Sequence, residues 1–214
     1  MKKGRLICLE GIEGTGKTTQ MRWIANYLRS LEQSVVTTRE PGGTVYAEGI
    51  RQLILQPPPK AEPLTKEAEL LLLFAARAQH ITQVIRPALQ AGHWVICDRF
   101  TEASYAYQGG GRGVSKAFIE YLEQNIYQDI SINHVLLFDM PIDQALQQMK
   151  QRNKVKNQAS DRIELETEAF FKRVREAYLF RAKENKVPYS IIQANNTLTQ
   201  VQTEVAAVLN RLLS

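Results

Sequence analysis

The chain has 214 residues, 44% of them hydrophobic and 23% charged, with a formal net charge of +5. That balance belongs to a soluble globular protein able to bury one sizeable core. It excludes a disordered chain or a stack of bilayer spans, since no apolar run approaches the length a span needs. The surplus of cations permits nucleic-acid binding, but a site for two polyphosphate ligands needs the same surplus.

The opening MKKGRLICLEG has too short an apolar run for a signal peptide and is read as leading into a strand, Arg5–Glu10. A glycine-rich turn follows, then a helix over Thr18–Leu31 and a second strand, Val35–Arg39. The turn Thr38–Thr44 (TREPGGT) feeds a helix that ends near Leu55, where Pro57-Pro58-Pro59 breaks it and forms a stiff loop. A long helical pattern over Lys66–Ala91 precedes the strand Trp94–Asp98. Helices over Ser115–Tyr127 and Ile142–Arg152 flank the strand Val135–Asp139. Gln151–Asp161 (QRNKVKNQASD) is polar, basic and almost free of apolar residues, and reads as an exposed excursion. A helix over Thr167–Asn185, a strand Tyr189–Gln193 and a helix Leu198–Leu213 complete the order.

The strand runs are apolar or β-branched on both faces, as in a parallel sheet covered on both sides. Their alternation with helices predicts a three-layer α/β architecture with right-handed crossovers. The expected fold is therefore a five-stranded parallel sheet flanked by helices, one domain over residues 1–214, with a mobile lid at about 151–162. Cys8 and Cys97 fall in strand runs and are expected as buried free thiols, which fits a reducing cytoplasm. His80, His93 and His134 show no metal-ligand spacing.

Gly11-Ile12-Glu13-Gly14-Thr15-Gly16-Lys17-Thr18-Thr19 carries the P-loop pattern between a strand and a helix. Its backbone N–H groups, with the helix N-terminus behind them, suit phosphate oxygens. Lys17 is placed to bridge the β- and γ-phosphates of ATP, and the Thr18 hydroxyl to ligate Mg²⁺. A P-loop alone does not choose among a GTPase, a motor and a small-molecule kinase. A guanine-reading Asn-Lys-x-Asp is missing, because Asn153-Lys154-Val155-Lys156 lacks the aspartate. A compact kinase remains. Asp98, ending its strand beside the P-loop, is suited to the Mg²⁺ water shell, and Arg99 next to it to an acceptor phosphate.

GIEGTGKTT, TREPGGT, Leu73–Arg77 (LFAAR), Asp98–Arg112 (DRFTEASYAYQGGGR) and Asp161–Glu164 (DRIE), in this order, resemble thymidylate kinase. The resemblance runs from about residue 5 to residue 210. It implies the P-loop NTPase fold, a homodimer, and transfer of the ATP γ-phosphoryl group to dTMP with Mg²⁺, without nucleic acid or membrane. It places Phe74 as the ring on which thymine stacks, and Arg77, Ser104 and Gln108 around the base edge. It places Arg51, Arg99 and Glu40 near the acceptor phosphate, and Tyr107 beside the sugar 2′ carbon. Glu13 then has a reason to sit in a phosphate cradle: its carboxylate, an acceptor only, suits the sugar 3′-OH. An ion pair with a nearby arginine is the alternative for Glu13, and the two are compatible. Other nucleoside monophosphate kinases are disfavoured by Arg77 and Ser104. A non-catalytic switch or nucleic-acid binder is disfavoured by the intact Lys17, Thr18, Asp98 and Arg99.

One variant of the family has an arginine in the P-loop where this chain has Gly14; the other carries basic residues in the lid. Here the lid offers Arg152, Lys154 and Lys156 at alternate positions, with Arg152 the first candidate for a catalytic cation and Lys156 the second. Ala103 stands where the family often has serine, and Gln193 where it usually has aspartate.

Overall fold

The computed structural model describes residues 4–57, 62–157, 159–184 and 186–213. Five parallel strands form its sheet: β1 (Arg5–Glu10), β2 (Val35–Arg39), β3 (Trp94–Asp98), β4 (His134–Asp139) and β5 (Tyr189–Gln193), in the order β2-β3-β1-β4-β5. The two-residue period of the strands sorts their side chains between two layers. Leu6 and Cys8 of β1, with Val95 and Cys97 of β3, face one side, against α3 (Lys66–His80) and α6 (Lys116–Ile126). Ile7 and Leu9 face the other side, against Ile24 and Leu28 of α1 (Lys17–Ser30) and Val201, Val205 and Val208 of α9 (Leu198–Leu213). Burial on both faces is why the strands read as unbroken apolar runs. The two cysteines are free, buried and opposite each other in register.

Helix starts follow local chemistry. Thr44 Oγ1 accepts from Ala47 N at the head of α2 (Val45–Leu55), and Thr65 Oγ1 accepts from Ala68 N at the head of α3. The predicted continuous helix over 66–91 is instead α3, a π turn at Ile81–Ile85 and α4 (Arg86–Gln90). Pro87 explains the break: it has no N–H, and its ring would meet the carbonyl four residues back, so the turn before it widens. A second helical stretch, α5 (Thr101–Ser104) running into a π turn at Tyr105–Gly111, was not foreseen. Pro57 lies just past α2, whereas Pro58 and Pro59 of the predicted stiff loop lie outside the described residues, as does Asn185.

The basic excursion also differs from expectation. α7 runs from Ile142 to Lys156, four residues beyond the expected end at Arg152, and ends at Asn157 in the left-handed region (φ 49°). α8 (Glu168–Glu184) then packs under the 101–111 helix. A Cβ on Gly110 would lie 2.5 Å from Ala177 Cβ, and one on Gly111 2.5 Å from the Phe170 ring. The glycines are thus needed for close helix contact and not for a loop.

Candidate active site

A cleft of about 620 Å³ opens beyond the carboxyl ends of β1 and β3, where open parallel sheets commonly bind ligands. Its wall runs from Glu13–Thr19 of the P-loop, past Asp98 and Arg99, to Glu40, Arg51, Arg77, Ser104, Tyr107 and Gln108, and is completed by Arg152 and Lys156. Gly11 and Ile12 sit behind it, and their carbonyls accept from Lys17 Nζ at 2.9 and 2.7 Å. Burial, and Arg99 nearby, bring the Lys17 amine down to about 8. Gly14 has φ +83°, and a Cβ there would lie 2.0 Å from the carbonyl oxygen of Ala145 in α7. An arginine at 14 is therefore incompatible with α7 in this position.

Arg99 follows β3 with φ 69°, uncommon for a non-glycine residue and a form of strain that concentrates at functional sites. Its guanidinium donates to Gly11 O at 2.9 Å and to Glu13 Oε1 at 2.7 Å, and lies 4.7 Å from the centre of the Tyr107 ring. Tyr107 OH donates to Glu13 Oε2 at 2.7 Å. Burial alone would raise the Glu13 carboxyl. Arg99, Lys17 and the Tyr107 hydroxyl outweigh it and hold the group below its usual range. The predicted ion pair of Glu13 with an arginine is thus present. Beneath the P-loop, Glu10 accepts from Phe100 N and Tyr178 OH, yet burial pushes its carboxyl up to about 7.

The far end of the cleft is built around Arg77, 2% exposed. Its Nε donates to Glu40 Oε2 at 2.7 Å, and its Nη2 to Ser104 Oγ at 3.1 Å and Phe100 O at 3.2 Å. Nη1 is buried without a partner. Phe74 does not reach the cleft: it is 1% exposed in the core, and Arg77 lies over its ring at 4.5 Å. Leu73, four residues before Arg77, lines the cleft instead. Arg77 folds back over the residue three before it, which leaves the residue four before on the open side. Gln108 Nε2 donates to the buried Glu69, which also accepts from Arg162 Nη2 at 2.6 Å. Arg51 Nη1 donates to Pro41 O at 3.1 Å, and Arg39 is tied to Glu48.

On α7, Gln148, Arg152 and Lys156 are spaced by four, share a helix face and all line the cleft. Lys154 does not line it. The predicted alternation of three basic residues therefore resolves into two that face the cleft and one that does not. Arg152 pairs with Glu164 of the DRIE segment. Sequence reasoning missed Gln148, Leu73 and Glu69. The first two had a findable signal, a four-residue spacing from an already suspected cation; Glu69 had none.

Buried Asp98 Oδ1 also has no partner, and Asp98 and Thr18 both line the cleft. Among the described residues no cluster of three or more His, Cys, Asp or Glu could hold a metal. The donors present fit a Mg²⁺ whose other ligands are phosphate oxygens and water.

A P-loop between β1 and α1, a shared carboxylate and a second basic pocket in one cleft define a P-loop phosphotransferase. The family model described as thymidylate kinase matches residues 9–205. A thymidylate kinase of Chromohalobacter salexigens is 47% identical over 214 residues, covering 100% of this chain and 99% of its own. One from Ectopseudomonas mendocina is 48% identical over 210 residues, covering 98% and 97%. The crystal structure of thymidylate kinase from Ehrlichia chaffeensis superposes with a TM-score of 0.75 at 31% identity, over 97% of this chain and 99% of that one. The chain belongs to the thymidylate kinase family.

Proposed function

We propose that the protein transfers the γ-phosphoryl group of ATP to dTMP, giving dTDP and ADP, as a step toward dTTP. The observation that carries this reading is the single cleft joining the P-loop to the pocket around Arg77, with Glu13 and Arg99 between them. Residues 1–214 act as one kinase domain, with the basic segment 151–162 as its lid.

Mg·ATP and dTMP each carry about two negative charges, and at about 5 Å they repel by roughly 3 kcal/mol even with the dielectric of water. The site's main task is therefore to cancel charge and hold the groups in line. Backbone amides of Gly11–Thr19 and Lys17 hold the donor phosphates. Thr18 and Asp98 would hold Mg²⁺, which would supply charge neutralisation of the phosphates. Arg99, Arg51 and the Glu40 turn receive the acceptor phosphate. Arg152 and Lys156 add charge from α7, which lines the same cleft. No general base is required, because the acceptor phosphate is already an anion at neutral pH.

Base choice rests on Arg77. Its free Nη1 donates to the thymine O4 acceptor and would meet the amino group of cytosine donor to donor. Leu73 supplies the apolar platform in place of Phe74, and Ser104 and Gln108 flank the ring. Tyr107 crowds a ribose 2′-OH, and the Glu13 carboxylate binds the 3′-OH.

Apolar Leu71 on α3 and Tyr121 on α6 are exposed, which supports a homodimer formed through these helices. The two buried free thiols fit a cytoplasmic enzyme, and no helix among the described residues is long and apolar enough to cross a membrane. A coupled ADP-release assay across dTMP, dUMP, CMP, AMP and UMP tests the reading. Turnover should be fastest with dTMP, and preference for another acceptor, or for none, would overturn it.

A further inference from the structure

His80 is fully buried at the end of α3, one helical turn after Arg77, with both ring nitrogens engaged. Nδ1 lies 3.0 Å from Glu40 Oε1, and Nε2 lies 2.6 Å from Thr38 Oγ1. A carboxylate only accepts, so the neutral tautomer that satisfies both contacts carries its hydrogen on Nδ1 and accepts from the Thr38 hydroxyl at Nε2. Gly43 closes over the same ring. A Cβ there would stand 2.6 Å from His80 Cδ2, and its φ of +83° also favours glycine. Three residues of the Thr38–Thr44 turn thus meet on one imidazole.

Two lines lead from that imidazole into the cleft. Glu40 spans His80 and Arg77, with one carboxylate oxygen on each. It therefore sets the guanidinium whose Nη1 stays unpartnered. The turn itself carries Pro41, whose carbonyl accepts from Arg51. We infer that His80 is a positioning residue for the acceptor nucleotide, bracing Glu40 and moulding the Thr38–Thr44 turn so that one side chain aligns both the base-reading and the phosphate-holding arginine. The inference rests on the functional reading above and deepens it. His80 itself touches no substrate.

The test compares three variants of the full chain for dTMP affinity by calorimetry, KM for dTMP, KM for ATP and melting temperature. His80→Phe keeps the ring and loses both contacts. The His80→Gln amide reaches the Nε2 position and abandons Glu40. The His80→Asn amide reaches the Nδ1 position and still donates to Glu40. Loss of a charge-assisted bond predicts about a tenfold or greater rise in dTMP Kd and KM for His80→Phe and His80→Gln, with the ATP KM nearly unchanged. His80→Asn should stay close to wild type in dTMP affinity. Equal dTMP affinity in His80→Phe and wild type would overturn the inference, as would equal loss in His80→Asn and His80→Gln, or an ATP KM rising in step. If His80→Phe does not fold, the Asn and Gln pair carries the same comparison. A wild-type chain that ignores dTMP overturns the functional reading, whereas one that binds dTMP beside an unaffected His80→Phe overturns this inference alone.

Discussion

Glu13 and Arg99 meet at 2.7 Å across the centre of the cleft, one from the phosphate loop and one from the end of β3. In the proposed reaction the pair sits where the two substrates abut, and Glu13 would serve the acceptor while anchored by the cation assigned to the acceptor phosphate. Glu13→Gln removes the charge and keeps the shape. It should lower kcat/KM for dTMP at least about tenfold while the ATP KM moves by no more than about twofold. Steady-state kinetics decide it, and near-wild-type turnover of dTMP would remove the role.

Arg152 and Lys156 share a face of α7 that lines the cleft, and Lys154 does not. Arg152→Ala is expected to cut kcat by about ten- to a hundredfold, since one preorganised charge contributes a few kcal/mol to a developing anion. Lys156→Ala should have a smaller effect in the same direction, and Lys154→Ala almost none. Single-turnover rates at saturating substrates separate the three. A Lys154 effect matching that of Arg152 would mean that α7 uses a different face during transfer.

Leu73 lines the cleft, whereas Phe74 is buried in the core under Arg77. Leu73→Ala should raise the dTMP KM several-fold with little loss of stability, because its side chain borders open space. Phe74→Ala opens a core cavity and should cost about 3–5 kcal/mol of unfolding free energy. Denaturant unfolding set beside dTMP titrations reads both. A stable Phe74→Ala protein with weakened dTMP binding would put the ring back in the base site.

Glu10 links the site to pH. Its folded value of about 7 lies above its ordinary 4.5, so the folded state holds the proton more tightly. The stability tied to that proton is complete below about pH 4.5 and is lost as pH rises through about 7, on the order of 3 kcal/mol in all. Glu10→Gln has no proton to lose. Its unfolding free energy relative to wild type should therefore increase between pH 5 and pH 8. Parallel stability curves across that range would contradict the assignment.

The sheet was legible because parallel strands buried on both faces advertise themselves. Four of the five strands match their apolar runs residue for residue, and β4 begins one residue earlier, at His134. The P-loop and the DR pair were legible because their chemistry depends on local spacing. The helix at 101–111 was hidden by three glycines, of which Gly110 and Gly111 offset their cost by the close approach of α8, a contact distant in sequence. The helical character of 153–156, beyond the helix expected to end at Arg152, was hidden because a helix bordering an aqueous cleft needs little apolar periodicity. The burial of Phe74 was only half legible, because a ring in a run of leucines fits the core as well as a base platform. Glu69 and His80 were invisible because their meaning lies in partners 39 to 93 residues away.

Gly14 and the Ala145 carbonyl leave no gap between the P-loop and the first half of α7. In the lid proposed above, that half would stay as a fixed post, and opening would swing the turns beyond the Gly14 contact about a pivot near Ala145. Eleven residues separate Ala145 from Lys156, a lever of about 16 Å at the helical rise. A tilt of only about 20° then carries the lysine roughly 5 Å, far enough to let a triphosphate slip in or out while the cradle stays still.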